Sequence, residues 1–132
     1  MSNSLTRKSM TKRFLSPLIA AAILAAMPTV ATAHAFLDNA TPKVGAVVAA
    51  APKTIRIQFT QRVEVAFSHI HLFAADGQEV AMGPAAVDPS DQTQLSAPVT
   101  ATLAPGKYEV RWDVLSVDTH RTNGHFPFTY QP

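Results

Sequence analysis

The 132 residues contain no cysteine. That excludes disulfides, a thiolate nucleophile, a zinc ribbon and a cysteine-held iron–sulfur cluster, so any metal must be bound by histidine, carboxylate, methionine or backbone groups. Glycine is scarce as well, with five in the chain. No glycine-rich phosphate loop, nucleophile elbow or paired-carboxylate motif appears, which leaves nucleotide and hydrolase chemistry without support. No apolar run approaches the roughly 20 residues that cross a bilayer as a helix. The length suits one small domain and excludes a multidomain enzyme.

What is present begins with a leader pattern. Arg7, Lys8, Lys12 and Arg13 precede an apolar run at residues 14–26, and the small-x-small triplet Ala31, Thr32, Ala33 follows. This pattern predicts a cleavable signal peptide over residues 1–33 and a mature domain over 34–132 with no membrane anchor. An uncleaved anchor would need a longer run. Met10 is an alternative initiator to Met1, since it would start a complete leader by itself. The leader holds four of the eleven basic residues and none of the nine acidic ones, so the formal charge of +2 becomes −2 in the mature chain. A mildly acidic domain without a Lys/Arg cluster lacks the footprint of a nucleic-acid binder. Of four methionines only Met82 lies beyond the leader.

The mature chain reads as all-β. Ile55, Ile57 and Phe59 alternate with Arg56, Gln58 and Thr60, and Tyr108, Val110, Trp112 and Val114 alternate with Glu109, Arg111 and Asp113. Each run predicts a strand with one face inward, which makes Trp112 a core residue. Phe126 and Phe128 mark a last strand, and residues 34–37, 64–73, 78–82 and 94–99 are weaker candidates. Asp76-Gly77 reads as a hairpin turn and Pro105-Gly106 as a turn before the Trp112 strand, while residues 83–93, rich in Pro, Asp and Ser, read as a surface loop. About seven strands in roughly 99 residues predict a seven-stranded Greek-key β-sandwich or small barrel of immunoglobulin-like or cupredoxin-like form.

Two places carry metal chemistry. Cleavage after Ala33 makes His34 the first residue, and a terminal histidine offers an α-amine and an imidazole Nδ1 that close a chelate ring on one ion. Square-planar Cu(II) suits such nitrogen donors, although a cut before a histidine can also be incidental. The second place is the segment 116–126, SVDTHRTNGHF, where Asp118 and His120 stand two apart. On an extended segment they would share a side, with the carboxylate either facing the same ion or holding the second imidazole N–H. A turn aspartate beside a solvated histidine is the plainer reading of the same pair. Gly124 would then let the chain turn back into the last strand.

His34-Ala35-Phe36-Leu37, the Thr41-Pro42 turn, the strand KTIRIQFTQRV from Lys53 and the run PGKYEVRWDVLSVDTHRTNGHFPF from Pro105 together resemble the periplasmic copper resistance protein C (CopC) family over essentially the whole mature chain. The S-x-D-x-H, loop, glycine, aromatic-strand sequence is the most specific part. The resemblance implies a periplasmic seven-stranded Greek-key β-barrel that binds one Cu(II) through a histidine brace. Carried over, the ligands are His34, through amine and Nδ1, and His120, with Asp118 as an axial ligand or a hydrogen-bond partner of the ligating imidazole. It also implies copper sequestration, resistance or delivery to an inner-membrane copper transporter of the CopD type. Where some members carry a glutamate near the copper, this chain has Gln61, so no anionic ligand is carried over there. Other members hold Cu(I) in a Met/His-rich loop; with Met82 alone, the mature chain lacks that thioether cluster.

His69 and His71, two apart in AFSHIHLF, would form either an accessory metal patch or a merely exposed pair, and His125 is a candidate neighbour of the site. Phe36, Trp112 and Phe126 are candidates for its wall. Three functions of different class compete at this point. A copper-binding protein without catalytic activity is favoured. A copper-dependent oxidative enzyme of the histidine-brace type is the second, weakened by one Trp and two Tyr, which leave little for an extended polysaccharide platform. A non-metal immunoglobulin-like interaction module is the third.

Overall fold

A computed structural model describes residues 34–132; the expected signal peptide, with Met1 and Met10, lies outside the described residues. Among the described residues nine strands form two sheets, seven of them three residues or longer. In chain order they are β1 (Leu37–Thr41), β2 (Val47–Val48), β3 (Thr54–Phe59), β4 (His69–Ala74), β5 (Glu79–Val80), β6 (Ala86–Asp88), β7 (Asp91–Pro98), β8 (Gly106–Leu115) and β9 (Arg121–Tyr130). One sheet has the order β1-β3-β7-β6 and the other β2-β9-β8-β4-β5. All pairings are antiparallel except β2 with β9. The chain passes repeatedly from one sheet to the other, as a β-sandwich requires.

The strands with clear alternation form as expected, because a period of two puts every second side chain on the core face. Ile55, Ile57 and Phe59 from β3 meet Tyr108, Val110, Trp112 and Val114 from β8 and Phe126 and Phe128 from β9 in one buried cluster, with Leu95 and Ala97 from β7 and Ile70 and Leu72 from β4. Asp76-Gly77 turns β4 into β5, with Gly77 at φ 84° and its N–H on the Ala74 carbonyl. The Tyr108 hydroxyl donates to the Ala104 carbonyl at 2.6 Å, pinning the turn that enters β8.

Four local expectations are corrected. The first strand starts at Leu37 rather than His34, and residues 64–73 divide into a 3-10 turn, Val65–Phe67, and β4. The expected surface loop 83–93 contains β6 and the start of β7, since Val87 packs on the core and β6 pairs with β7. Gly124 is not a turn residue: it lies inside β9 opposite Trp112, where a Cβ would stand 2.5 Å from the indole ring. The indole lies where that side chain would be, so glycine is required by packing instead of by backbone conformation.

Candidate metal centre

His34 lies before β1 and is held by hydroxyls instead of by a strand ladder. Thr60, just past β3, donates through Oγ1 to the His34 carbonyl at 3.2 Å and accepts the Phe36 N–H at 3.0 Å. The Thr60 N–H in turn donates to the Phe36 carbonyl at 2.9 Å. From β9, Thr122 Oγ1 donates to the Ala35 carbonyl at 2.7 Å, and Ala35 is fully buried. Four hydrogen bonds thus fix three residues, and they aim His34 at the hairpin loop between β8 and β9.

That loop, residues 116–120, carries the other two expected site residues. Ser116 N–H donates to the His120 carbonyl and Thr119 N–H to the Ser116 carbonyl, both at 2.9 Å. Thr119 has φ 72°, a left-handed conformation that is uncommon for a β-branched residue and costs about 1–3 kcal/mol. The extended Asp-x-His geometry read from the spacing is therefore replaced by a tight turn. The turn still brings the two side chains together, with Asp118 Oδ2 3.3 Å from His120 Nδ1.

The His34 and His120 rings stand 4.7 Å apart between centroids and nearly perpendicular, at 84°. Phe36 meets the His34 ring edge-on at 5.9 Å and is half exposed, so it forms a wall of the site. Trp112 and Phe126 belong to the core instead. His34 Nδ1 and Asp118 Oδ2 are both buried and both without a hydrogen-bond partner; the 3.3 Å approach of His120 does not complete a bond. Buried polar atoms are ordinarily satisfied, and leaving one unpaired costs about 1–3 kcal/mol. Two such atoms beside one exposed imidazole are a donor set that suits a cation with nitrogen and oxygen preference. Among the described residues no three His, Cys, Asp or Glu side chains are gathered to hold a metal ion unaided.

Ser116, the first residue of the S-x-D-x-H motif, organises the loop. It is buried, and its hydroxyl lies within hydrogen-bond reach of both Asp118 Oδ1 and the His120 carbonyl. The Ser116 hydroxyl holds the Asp118 carboxyl below the usual carboxylate range, with smaller contributions in the same direction from His120 and an opposing one from burial. Because the folded value is lowered, the stabilisation from this carboxylate is complete above the ordinary aspartate value and is lost as pH falls through the folded one. Ser116→Ala is expected to raise the Asp118 value toward the ordinary range, read by carboxyl-carbon NMR titration.

The remaining candidates lie elsewhere. His69 and His71 are exposed on the outer face of the five-stranded sheet, with Ile70 and Leu72 inward, as alternation predicts. His125 is exposed on that same sheet opposite Arg111, so it faces away from the core. Gln61 is half-buried just beyond β3. The fixing residues Thr60 and Thr122 had no recognisable signal in the sequence, since an isolated threonine is common in strands.

The family model described as CopC domain matches residues 37–131. Protein YobA of Escherichia coli K12 is 39% identical over 97 residues, covering 74% of this chain and 78% of that protein. The copper transport protein CutJ of Bacillus subtilis strain 168 is 23% identical over 103 residues, which are 78% of this chain and 19% of that longer protein. Among solved structures, CopC from Methylosinus trichosporium OB3b superposes with a TM-score of 0.71 at 34% identity, covering 75% of this chain and 95% of that one. PcoC, a methionine-rich copper resistance protein from Escherichia coli, gives 0.67 at 29% identity, covering 75% and 100%.

Proposed function

The chain belongs to the CopC family, and from that premise we propose that it is an exported copper-binding protein that holds one Cu(II) between His34 and His120 once residues 1–33 are removed. The observation that carries this reading is the buried, unpartnered Nδ1 of His34 beside the His120 ring. After cleavage the His34 amine and Nδ1 form the chelate, and His120 adds a third nitrogen. Asp118, kept ionised by Ser116, serves as axial ligand or as the partner that orients the His120 ring. Copper is cargo here, and the protein carries it without catalysing a reaction. Its roles are periplasmic sequestration, resistance or delivery to an inner-membrane transporter of the CopD type. A copper resistance protein among the structural neighbours supports the first two. The delivery reading draws support from the copper transport protein CutJ, whose matched portion makes up 19% of its length.

The test starts from export. Protein recovered from the periplasm of an expressing cell is expected to have the mass of residues 34–132 and to bind one equivalent of Cu(II) tightly. Material that retains residues 1–33, or that begins at any residue other than His34, would remove the amine from the site and overturn the assignment.

A further inference from the structure

The outer face of β4 carries a second constellation of metal-binding side chains that the brace does not use. His69 and His71 point to the same side, with side chains 60% and 47% exposed, and their rings stack at 6.1 Å with 29° between planes. Each Nδ1 faces a carboxylate from a neighbouring strand. His71 Nδ1 lies 2.6 Å from Glu79 Oε1 on β5, and His69 Nδ1 lies 3.8 Å from Asp113 Oδ1 on β8. Arg121 is paired with Asp113, which holds that carboxylate in place. At His71 the hydrogen-bonded carboxylate favours the tautomer that keeps the proton on Nδ1 and leaves the Nε2 lone pair free, the arrangement that supports a metal-bound imidazole; Asp113 stands beyond hydrogen-bond range of His69 and contributes negative charge.

We propose that His69 and His71 form a second, weaker site for a divalent transition-metal ion of imidazole preference, independent of His34 and His120. The pair borders an open groove of about 490 Å³ that also reaches Glu79, which gives the ion access. Metal–nitrogen bonds of about 2.0–2.1 Å require the two Nε2 atoms to come within about 4 Å of each other. The rings now stand 6.1 Å apart between centroids, so metal binding requires the two exposed side chains to rotate toward each other. No third His, Cys, Asp or Glu side chain is already gathered there among the described residues, so water completes the shell and the affinity stays below that of a three-nitrogen site. Zn(II), Ni(II) and Cu(II) all suit two imidazoles, with Cu(II) the tightest of the series.

The two sets of residues sit on different elements. His69 and His71 are on β4, with His69 opposite Asp113 of β8, whereas Asp118 and His120 are in the loop between β8 and β9.

The test is a Zn(II) titration of residues 34–132, followed through the imidazole nitrogen signals of each histidine by NMR. Zinc is expected to shift Nε2 of both His69 and His71 together, with His125, exposed on the same sheet, unchanged. His69→Ala and His71→Ala should each weaken that event at least tenfold, and Glu79→Gln should weaken it by a smaller factor. All three positions are exposed, and an unchanged amide spectrum outside β4 and β5 verifies the fold of each variant. Zinc shifts confined to His34 and His120, shifts at His125 instead, or a titration indifferent to His71→Ala would each overturn the proposal.

Discussion

His120→Ala is expected to weaken Cu(II) binding by at least about a hundredfold, measured by competition with a chelator of known affinity. The substitution would remove one of the three nitrogen donors proposed for the site, and Cu(II) draws its selectivity from such nitrogen ligands. Its ring faces His34 at 4.7 Å, and its exposure leaves the fold little dependent on it. Asp118→Asn provides the graded comparison. The amide keeps the size of the carboxylate and loses its charge, so affinity should fall about 10–100-fold if Asp118 orients His120, as partners of metal-bound imidazoles do. His69→Ala should leave the tight equivalent untouched, because His69 sits on the outer sheet face. Equal losses for His120→Ala and His69→Ala would contradict the assignment of the site.

Gly124→Ala is expected to destabilise the domain by about 1–3 kcal/mol, the range for overpacking a filled core, measured by urea unfolding. The added methyl would stand 2.5 Å from Cζ2 and 2.8 Å from Cε2 of the Trp112 indole. Trp112 cannot retreat freely. It is buried, and its ring meets Phe59 edge-on at 5.1 Å. Part of the strain should therefore be relieved by β9, and β9 begins at the residue after His120. A weakened Cu(II) equivalent in the same variant would connect the core to the site, whereas unfolding within about 0.5 kcal/mol of the parent would show that the indole has room to move.

The long strands were legible because alternation is a direct consequence of the pleat. Ile55, Ile57 and Phe59, and Tyr108 through Val114, need no further context to declare their inner face. The short strands were not. β2 and β6 have two and three residues, and β6 sits in a Pro, Asp and Ser-rich stretch whose local signals all favour a loop. Its pairing with β7 is decided by burial of Val87, which is a tertiary effect. Gly124 misled for a related reason. Its meaning depends on the indole across the ladder, which sequence spacing does not place.

The candidate site was legible in its residues and not in its geometry. His34, Asp118 and His120 were singled out by chelate chemistry and by resemblance, and the fold brings them to one place. The means differ from the expectation. Asp118 and His120 approach through a left-handed Thr119, a conformation that threonine opposes and that no propensity would suggest. His34 is steered by Thr60, 26 positions from the His34 carbonyl it binds, and by Thr122, 87 positions from the Ala35 carbonyl. Such hydroxyl-to-carbonyl bonds across sheets depend on a finished fold.

The central claim is that the His34 amine is a copper ligand. Its most direct test is a Cu(II) titration of residues 34–132, followed by electron paramagnetic resonance, against the same domain with one glycine added before His34. The addition leaves both imidazoles and Asp118 in place and moves only the amine. The account predicts one tight equivalent with a tetragonal, nitrogen-rich signal for the free His34 terminus, and a loss of at least about a hundredfold in affinity with an altered signal for the extended form. Equal binding by both forms would show that His34 does not chelate through its amine, and would contradict the brace.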